Sequence, residues 1–420
     1  MLRTLRPVLI CLAIALPALV VRVSGLHLTP ALGLVVFGAG VVAAAFVLAW
    51  AAEAAEVDIS GGLAVAVLAV IAVLPEYAVD LYFAFTAGSR PEYVQFAAAN
   101  MTGSNRLLLG LGWSVVVLVS LIIASRRSGQ TVRELVIDSR YRLELGFLMI
   151  ASLLALIIPL SGQIHLILGI GMLALFTYYL LRVARTEDEG EPELVGPAAR
   201  IGALPARLRR PLVVIMFVGA AVMIIACAEP FAESLISGGR SLGIDEFLLV
   251  QWLAPLSSEA PEFIVAIMFA VRGKASMAIG TLISAKVNQW TLLIGSLPVA
   301  YLIGGGGPSL QLDARQVEEF SLTVAQTLLG IAILLTLRFH RLAALAMLGL
   351  FAVQFGVPGT EGRYVITAVY AVIAVVLMII HRRHLVPTLT APFRSLRSIT
   401  EPVASPGDPS NRPGSVPDHR

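Results

Sequence analysis

Lysine is almost missing from this chain of 420 residues: only Lys274 and Lys286 occur, against 28 arginines (30 basic residues less two lysines). Cysteine is equally scarce. Cys11 and Cys227 stand far apart inside apolar runs, which excludes a disulfide framework and a thiolate metal site. Charge of either sign is thin at 14%, where a soluble protein carries roughly a quarter. There is no Gly-x-x-x-x-Gly-Lys-Ser/Thr loop, no His-Glu-x-x-His and no Gly-x-Ser-x-Gly, so nothing points to ATP-driven work or to an intramembrane enzyme. His165 stands alone near a helix end. The net charge of +3 is small and the arginines sit in connections, which excludes a nucleic-acid face.

Apolar sequence fills the space left. Hydrophobic residues make up 58% of the chain, and mean hydropathy is +0.87. Runs of about 18 or more apolar residues recur, each long enough to cross ~30 Å of hydrocarbon as a helix. They are continuous rather than alternating, so helices are expected and a barrel is not. Twelve spans are expected, at roughly 7–24, 29–52, 61–88, 95–124, 143–160, 163–183, 211–237, 246–271, 275–303, 317–337, 341–356 and 363–381. The first follows Arg3 and Arg6 and has the alternative reading of a signal peptide, though no clear small-x-small cleavage site follows it. Residues 385–420, rich in Pro, Ser and Arg, read as a disordered tail.

Arginine orients the bundle. Arg126, Arg127, Arg133, Arg140 and Arg142 fall in one connection, and Arg182, Arg185, Arg200, Arg207, Arg209 and Arg210 in another. Arg272 and Lys274, Arg338 and Arg341, and Arg382 and Arg383 fall on the same side, which places both termini in the cytoplasm. The acidic loop from Glu53 to Asp58 lies on that side too, but acidic residues count little in this rule.

The chain also repeats itself. "AEAAEVDISGGLAVAVLAVIAVLPEYAVD" begins at Ala52 and "AEPFAESLISGGRSLGIDEFLLVQWLAPLSSEAPEF" at Ala228. Each has an acidic helix end, a turn, an apolar helix and then Pro-Glu, at Pro75-Glu76 and Pro261-Glu262. Downstream, Ala99 to Asn105 (ANMTGSN) has a weaker counterpart in Gly280 to Lys286 (GTLISAK). Five spans separate the two copies, so they cross the membrane in opposite directions, as inverted repeats of secondary transporters do.

On Leu74-Pro75-Glu76, Asn100-Met-Thr-Gly103-Ser104-Asn105, Ser258-Glu259-Ala260-Pro261-Glu262 and Gly280-Thr281, the sequence resembles the sodium/calcium exchanger superfamily of cation antiporters. The resemblance covers spans two to eleven. It implies an all-α polytopic membrane protein of about 12 transmembrane helices: two inverted five-helix repeats with one extra helix at each end. The expected division is an extra N-terminal helix over 1–28, a first repeat over 29–183 and a cytoplasmic loop over 184–210. A second repeat over 211–356, an extra helix over 357–384 and the tail over 385–420 follow. Where the family has hydroxyls before Leu-Pro-Glu, this chain has Ala72-Val73, and Ser284-Ala285-Lys286 replaces the second Gly-Ser-Asn.

Residue chemistry points to a cation. Glu76 and Glu262 each follow a proline, which removes a backbone bond and frees carbonyl oxygens. Oxygen clusters of this kind suit a hard cation, and a charge at a helix centre costs ~2.5–3.5 kcal/mol on insertion scales. The bland alternative is a neutral carboxyl held for packing. Asp80 and Glu259 share helix faces with Glu76 and Glu262; a water-facing helix end for Asp80, or a purely structural partnership with Lys286 for Glu259, is the alternative. Asn100, Ser104 and Asn105 supply neutral oxygens, or else interhelical hydrogen bonds. Ser258 and Thr281 are candidates from the second repeat, with Ser284, Asn288 and Gln289 weaker ones. Arg106 reads as snorkelling or ion-paired. Glu53, Glu56, Glu229 and Glu233 read as solvated vestibule acids. Lys286 is expected to pair with Glu262 or Glu259, to compensate their charge and to yield to an incoming cation, which an amine able to lose its proton can do and arginine cannot; a fixed salt bridge is the alternative.

The favoured expectation is secondary antiport of a metal cation for Na⁺ or H⁺, as monovalent cation/proton exchange, because lost oxygen ligands and an added lysine both weaken a divalent site. Na⁺/Ca²⁺ or H⁺/Ca²⁺ exchange is the alternative, and a non-transporting scaffold or sensor on the same fold is the rival of another class. No cofactor is implied. The lipid bilayer and the transported Na⁺, Ca²⁺ or H⁺ are the expected partners, in a prokaryotic plasma membrane.

Overall fold

The computed structural model describes residues 2–59, 73–185, 194–357 and 359–394. Part of the third expected span, part of the 184–210 loop and most of the expected tail therefore lie outside the described residues. Within them the chain is helical almost throughout. Nine helices are long and apolar enough to cross a membrane, and each of the twelve expected spans carries helix where it is described.

Helix α1 (Leu2–Ser24) packs on α2 (Pro30–Ala55), whose proline stands at the helix start where a missing N–H is harmless. Helix α3 (Leu74–Ala87) leads to α4 (Val94–Leu107), a wide π segment (Leu108–Trp113) and α5 (Ser114–Ser128) in one continuous rod. Then come α6 (Arg142–Ala155), the short α7 (Ile157–Ser161), α8 (Leu166–Val183) and the connecting α9 (Gly196–Gly202). The second half opens with α10 (Ala206–Leu242), continues with α11 (Glu246–Val271) and repeats the rod as α12 (Ala275–Asn288), a π segment (Gln289–Leu293) and α13 (Ile294–Ile303). Helices α14 (Ala314–Leu334) and α15 (Arg341–Gly356) complete it, and α16 (Thr360–Ile380) follows as the extra helix.

The two halves match in detail. Both rods widen into a π segment at the same register: Leu108 and Gln289 are 181 positions apart, as are Asn105 and Lys286. A π segment shifts the backbone register, and such segments cluster at functional sites. Two short antiparallel ribbons tie the halves together. β1 (Glu134–Val136) pairs with β4 (Arg338–His340), Glu134 opposite His340, and β2 (Gln163–His165) pairs with β3 (Ser309–Gln311), Gln163 opposite Gln311. Each ribbon takes one strand from each half, one ribbon at each end of the bundle, as an inverted two-fold relation requires.

Helices α2 and α10 run against each other over most of their length, and α4 packs closely on α11. Glycine permits the second approach. A Cβ on Gly103 would land on the Gln251 carbonyl of α11. Gly103→Ala is therefore expected to destabilise the protein by about 1–3 kcal/mol, as overpacked sites do, read as a lowered Tm in detergent; an unchanged Tm contradicts the close packing.

At the arginine-rich face, Arg209 grips Asp58 with two hydrogen bonds of 2.7 Å, and Arg210 adds one of 3.0 Å. These two guanidiniums hold the Asp58 carboxyl far below the usual carboxylate range. The acidic loop that ran against the charge rule is thus partnered by arginines of the same face.

The expected tail differs in part. Residues 382–390 form helix α17 (Arg382–Thr390), and Ala391–Phe393 add a single turn. Arg142 of α6 donates to the Thr388 hydroxyl (3.1 Å), and Tyr178 of α8 donates to the Pro392 carbonyl (2.7 Å). Those long-range bonds order a segment whose composition alone reads as polar and unstructured.

Candidate cation site

The midpoints of α3, α4, α11 and α12 carry an unusual load of buried polar groups. Asp80, Asn100, Ser104, Asn105 and Lys286 are fully buried, and Glu76 and Glu259 are nearly so. The Gln289 amide lies between two carboxylates, donating to Glu76 Oε1 at 3.1 Å and to Glu259 Oε1 at 2.8 Å. The structure thus joins the two repeats through Glu76 and Glu259. Glu262 is half-buried and lies within electrostatic reach of Glu76 and Glu259. Glu262, the second Pro-Glu carboxylate, does not share the Gln289 amide. On α11 Glu259 and Glu262 lie three residues apart on one face, and Glu259 is the one that reaches the amide.

Around this bridge many oxygens have no hydrogen-bond partner among the described residues: both of Asp80, Oδ1 of Asn100, Oγ of Ser104, Oε2 of Glu259 and Oε1 of Gln289. Asn100 faces Asp80, and Ser104 faces Glu76 and Glu259, outside hydrogen-bonding geometry. Buried polar atoms are nearly always satisfied, so a cluster of unsatisfied oxygens marks a place built for something else. Oxygen donors of mixed charge fit a hard cation such as Ca²⁺ or Na⁺. Among the described residues, no three acidic, histidine or cysteine side chains already converge on a metal-sized point. The Gln289 amide fills the gap between the carboxylates.

Two second-repeat candidates stand apart. The Ser258 hydroxyl donates to carbonyls of its own helix at Ala254 and Pro255 (3.2 and 3.3 Å), and the Thr281 hydroxyl to Met277 (3.0 Å). Ser258 still neighbours Glu259. Thr281 is only half-buried, and no contact between it and the carboxylates is found among the described residues.

Lys286 departs from its expected role. Its Nζ donates to the Asn105 carbonyl (2.6 Å) and to Asn105 Oδ1 (2.8 Å), and it sits 5.5 Å from the Trp290 ring centre. Among the described residues it forms no ion pair with Glu259 or Glu262. The reason is positional: Lys286 and Asn105 are each other's repeat counterparts, so they meet across the pseudo-two-fold axis, while Gln289 takes the carboxylates.

Arg106 is ion-paired rather than snorkelling. It is fully buried, bonds Glu319 of α14 and Gln354 of α15, and lies over the Trp252 ring. Arg363 of the extra helix α16 reaches the same Glu319 at 2.9 Å. Leaving one partner of such a buried pair alone costs about 3–5 kcal/mol, so Arg363 ties one face of α16 to α14. The vestibule acids divide. Glu229 is half-exposed and pairs with Arg22 (2.6 Å), whereas Glu233 accepts from both the Tyr82 and Tyr93 hydroxyls at 2.6 Å. Glu53 and Glu56 are of intermediate exposure.

The sequence model of the sodium/calcium exchanger protein family matches residues 29–184 and 212–357, most of the chain. The chain belongs to the sodium/calcium exchanger family. These are ion transporters, not enzymes, and this exchanger is a multi-pass membrane protein with the inverted-repeat fold. It is 41% identical to a crystal structure described as the H⁺/Ca²⁺ exchanger CAX, over 94% of this chain and 99% of that one, with a TM-score of 0.86. A structure described as the Ca²⁺/H⁺ antiporter protein YfkE is 17% identical, covers 86% of this chain and 99% of its own, and has a TM-score of 0.59, a likeness of fold. No curated protein matches the chain.

Proposed function

We propose that this exchanger is an H⁺/Ca²⁺ antiporter in which Glu76 and Glu259 bind the calcium ion, with Asp80, Glu262, Asn100 and Ser104 supplying further oxygens. The observation that carries the reading is the Gln289 bridge: two buried carboxylates from opposite repeats hold one neutral amide, with no fixed cation between them. Clustered carboxylates in low dielectric resist joint ionisation, so each either takes a proton or faces a metal ion. Calcium and protons then compete for the same oxygens, which is the essence of exchange.

The monovalent expectation is set aside. It rested on lost oxygen ligands and on an added lysine weakening a divalent site, and the Lys286 Nζ is engaged by Asn105 rather than by a carboxylate. The 41% identical relative is described as an H⁺/Ca²⁺ exchanger, which supports the same choice. Calcium entry would turn the Gln289 amide so that Oε1, now without a partner, faces the ion. The test is purified protein in liposomes, with labelled calcium and a pH dye. An imposed proton gradient is expected to drive calcium uptake with dye-detected counterflow. Uptake driven by sodium and indifferent to the proton gradient contradicts the proposal.

Access to the site would alternate as the α2–α10 pair moves past α3, α4, α11 and α12. Glu233 on α10, held by Tyr82 of α3 and by Tyr93 just before α4, is suited to latch the arginine-poor side shut. Glu233→Gln removes the charge from both hydrogen bonds, a loss of roughly 1.5–3 kcal/mol. Calcium entry from that side of oriented vesicles is expected to rise by about 10- to 150-fold, with site affinity unchanged. Entry rates equal to those of the unaltered protein refute the latch.

A further inference from the structure

At the arginine-rich face, α14, α15 and α16 part around a cavity of about 380 Å³. Its apolar wall is Ile333, Ala343 and Leu377, and its polar rim is Arg338, His381 and His384. Thr336 and His340 complete the rim, so every polar side chain there is a hydrogen-bond donor or a cation, and none is acidic. The surroundings are lipid-facing. Leu342 at the start of α15 is 79% exposed, and Ile380 at the end of α16 is 64% exposed. Arg341, Arg382 and Arg383 flank these positions and are exposed. An apolar wall under a rim that carries Arg338 and is flanked by Arg341, Arg382 and Arg383, at the level where a membrane helix ends, is the arrangement that recognises a lipid headgroup.

We propose that this cavity binds an anionic phospholipid, its phosphate on Arg338 with His381 and Thr336, and its acyl chains along the outer faces of α15 and α16. A soluble anion has no use for the apolar wall. A zwitterionic lipid brings a positive headgroup to a positive rim. Charge comes mainly from the arginines: burial, with Arg142 and His381 nearby, pushes the His384 imidazole down, which leaves it a neutral hydrogen-bonding group near pH 7. His381 places Nδ1 3.3 Å from the Ala332 carbonyl, so it can give Nε2–H to a phosphate oxygen only as the imidazolium, in which both ring nitrogens donate.

One acidic residue competes. Glu134 on β1 pairs with Arg338 at 2.7 Å and with His340 at 3.2 Å. Both partners are more than half exposed, and exposed pairs of this kind add little to stability. The phosphate would therefore displace Glu134 rather than break the fold, and the lipid would bind at the ribbon that joins the two halves.

The experiment uses delipidated full-length protein in neutral detergent, with thermal unfolding followed as phosphatidylglycerol, phosphatidylcholine or inorganic phosphate is added. Phosphatidylglycerol is expected to raise Tm saturably, and the other two are not. Arg338→Gln is expected to weaken the apparent phosphatidylglycerol affinity about tenfold, the loss of one charge-assisted contact. Glu134→Gln should strengthen it by freeing Arg338 and His340, a gain that a merely structural role for the ribbon would not produce. The proposal is overturned if phosphatidylcholine matches phosphatidylglycerol, if inorganic phosphate reproduces the effect, if Arg338→Gln responds like the unaltered protein, or if Glu134→Gln fails to bind more tightly. The outcome is independent of which ion is transported.

Discussion

Glu259→Gln is expected to reduce proton-driven calcium uptake by about 100-fold or more, and Glu76→Gln to do the same. Each substitution removes one full charge from a site that binds a divalent ion through few charged ligands. A loss of roughly 3 kcal/mol in ion binding corresponds to that factor. The neutral amide keeps the size of the side chain and can still meet Gln289, so the fold should survive, which near-normal Tm in detergent checks. Glu262→Gln is expected to act more weakly, because Glu262 is only half-buried and does not share the bridging amide. Equal losses at Glu262 and Glu259 would return the centre of the site to the Pro-Glu pair. Normal uptake in both Glu76→Gln and Glu259→Gln would refute the assigned site, whereas absence of uptake by the unaltered protein would favour the scaffold reading, in which the exchanger fold is kept without flux.

Lys286→Met is the second large effect. The ammonium lies within electrostatic reach of Glu76 and Glu259 without touching either. Removing a buried positive charge at that range favours every cation on the carboxylates, protons and calcium alike. Proton uptake by the carboxylates in the absence of calcium is therefore expected to shift to higher pH, and calcium affinity at high pH to increase because a like charge is gone. The substitution also strands Asn105 Oδ1, at about 1–3 kcal/mol, so Tm is expected to fall as well. Lys286→Arg should retain the charge but not the fit, since a planar fork cannot replace a compact ammonium between two oxygens of one residue. An unchanged pH profile and an unchanged calcium affinity in Lys286→Met would make Lys286 a packing residue.

Much of the fold could be read from the sequence because the bilayer forces it. Apolar runs of span length and a repeated Pro-Glu in opposite crossings leave few architectures, and the paired π segments and crossed ribbons fit that plan. Single residues were legible where charge interrupts an apolar run, as at Glu76, Glu259 and Lys286. Partnerships were not. Which of Glu259 and Glu262 reaches the Gln289 amide depends on the packing of α11, which no local pattern encodes. Gln289 stood out only weakly, since a neutral amide near a helix end has many ordinary uses. The Arg106–Glu319–Arg363 cluster joins residues far apart in the chain, and only the packing of α4, α14 and α16 reveals it. A charge inside each of three apolar helices was the available hint. Residues 385–394 misled because composition reports the absence of a local core and says nothing of a neighbouring helix that provides one.

Calcium titration of the purified protein, with proton release measured at constant pH, tests the central claim most directly. If Glu76 and Glu259 exchange protons for the metal ion, calcium binding releases protons from the unaltered protein, and Glu259→Gln both weakens binding and releases fewer. Calcium binding with no proton release, or identical release in Glu259→Gln, would contradict the account.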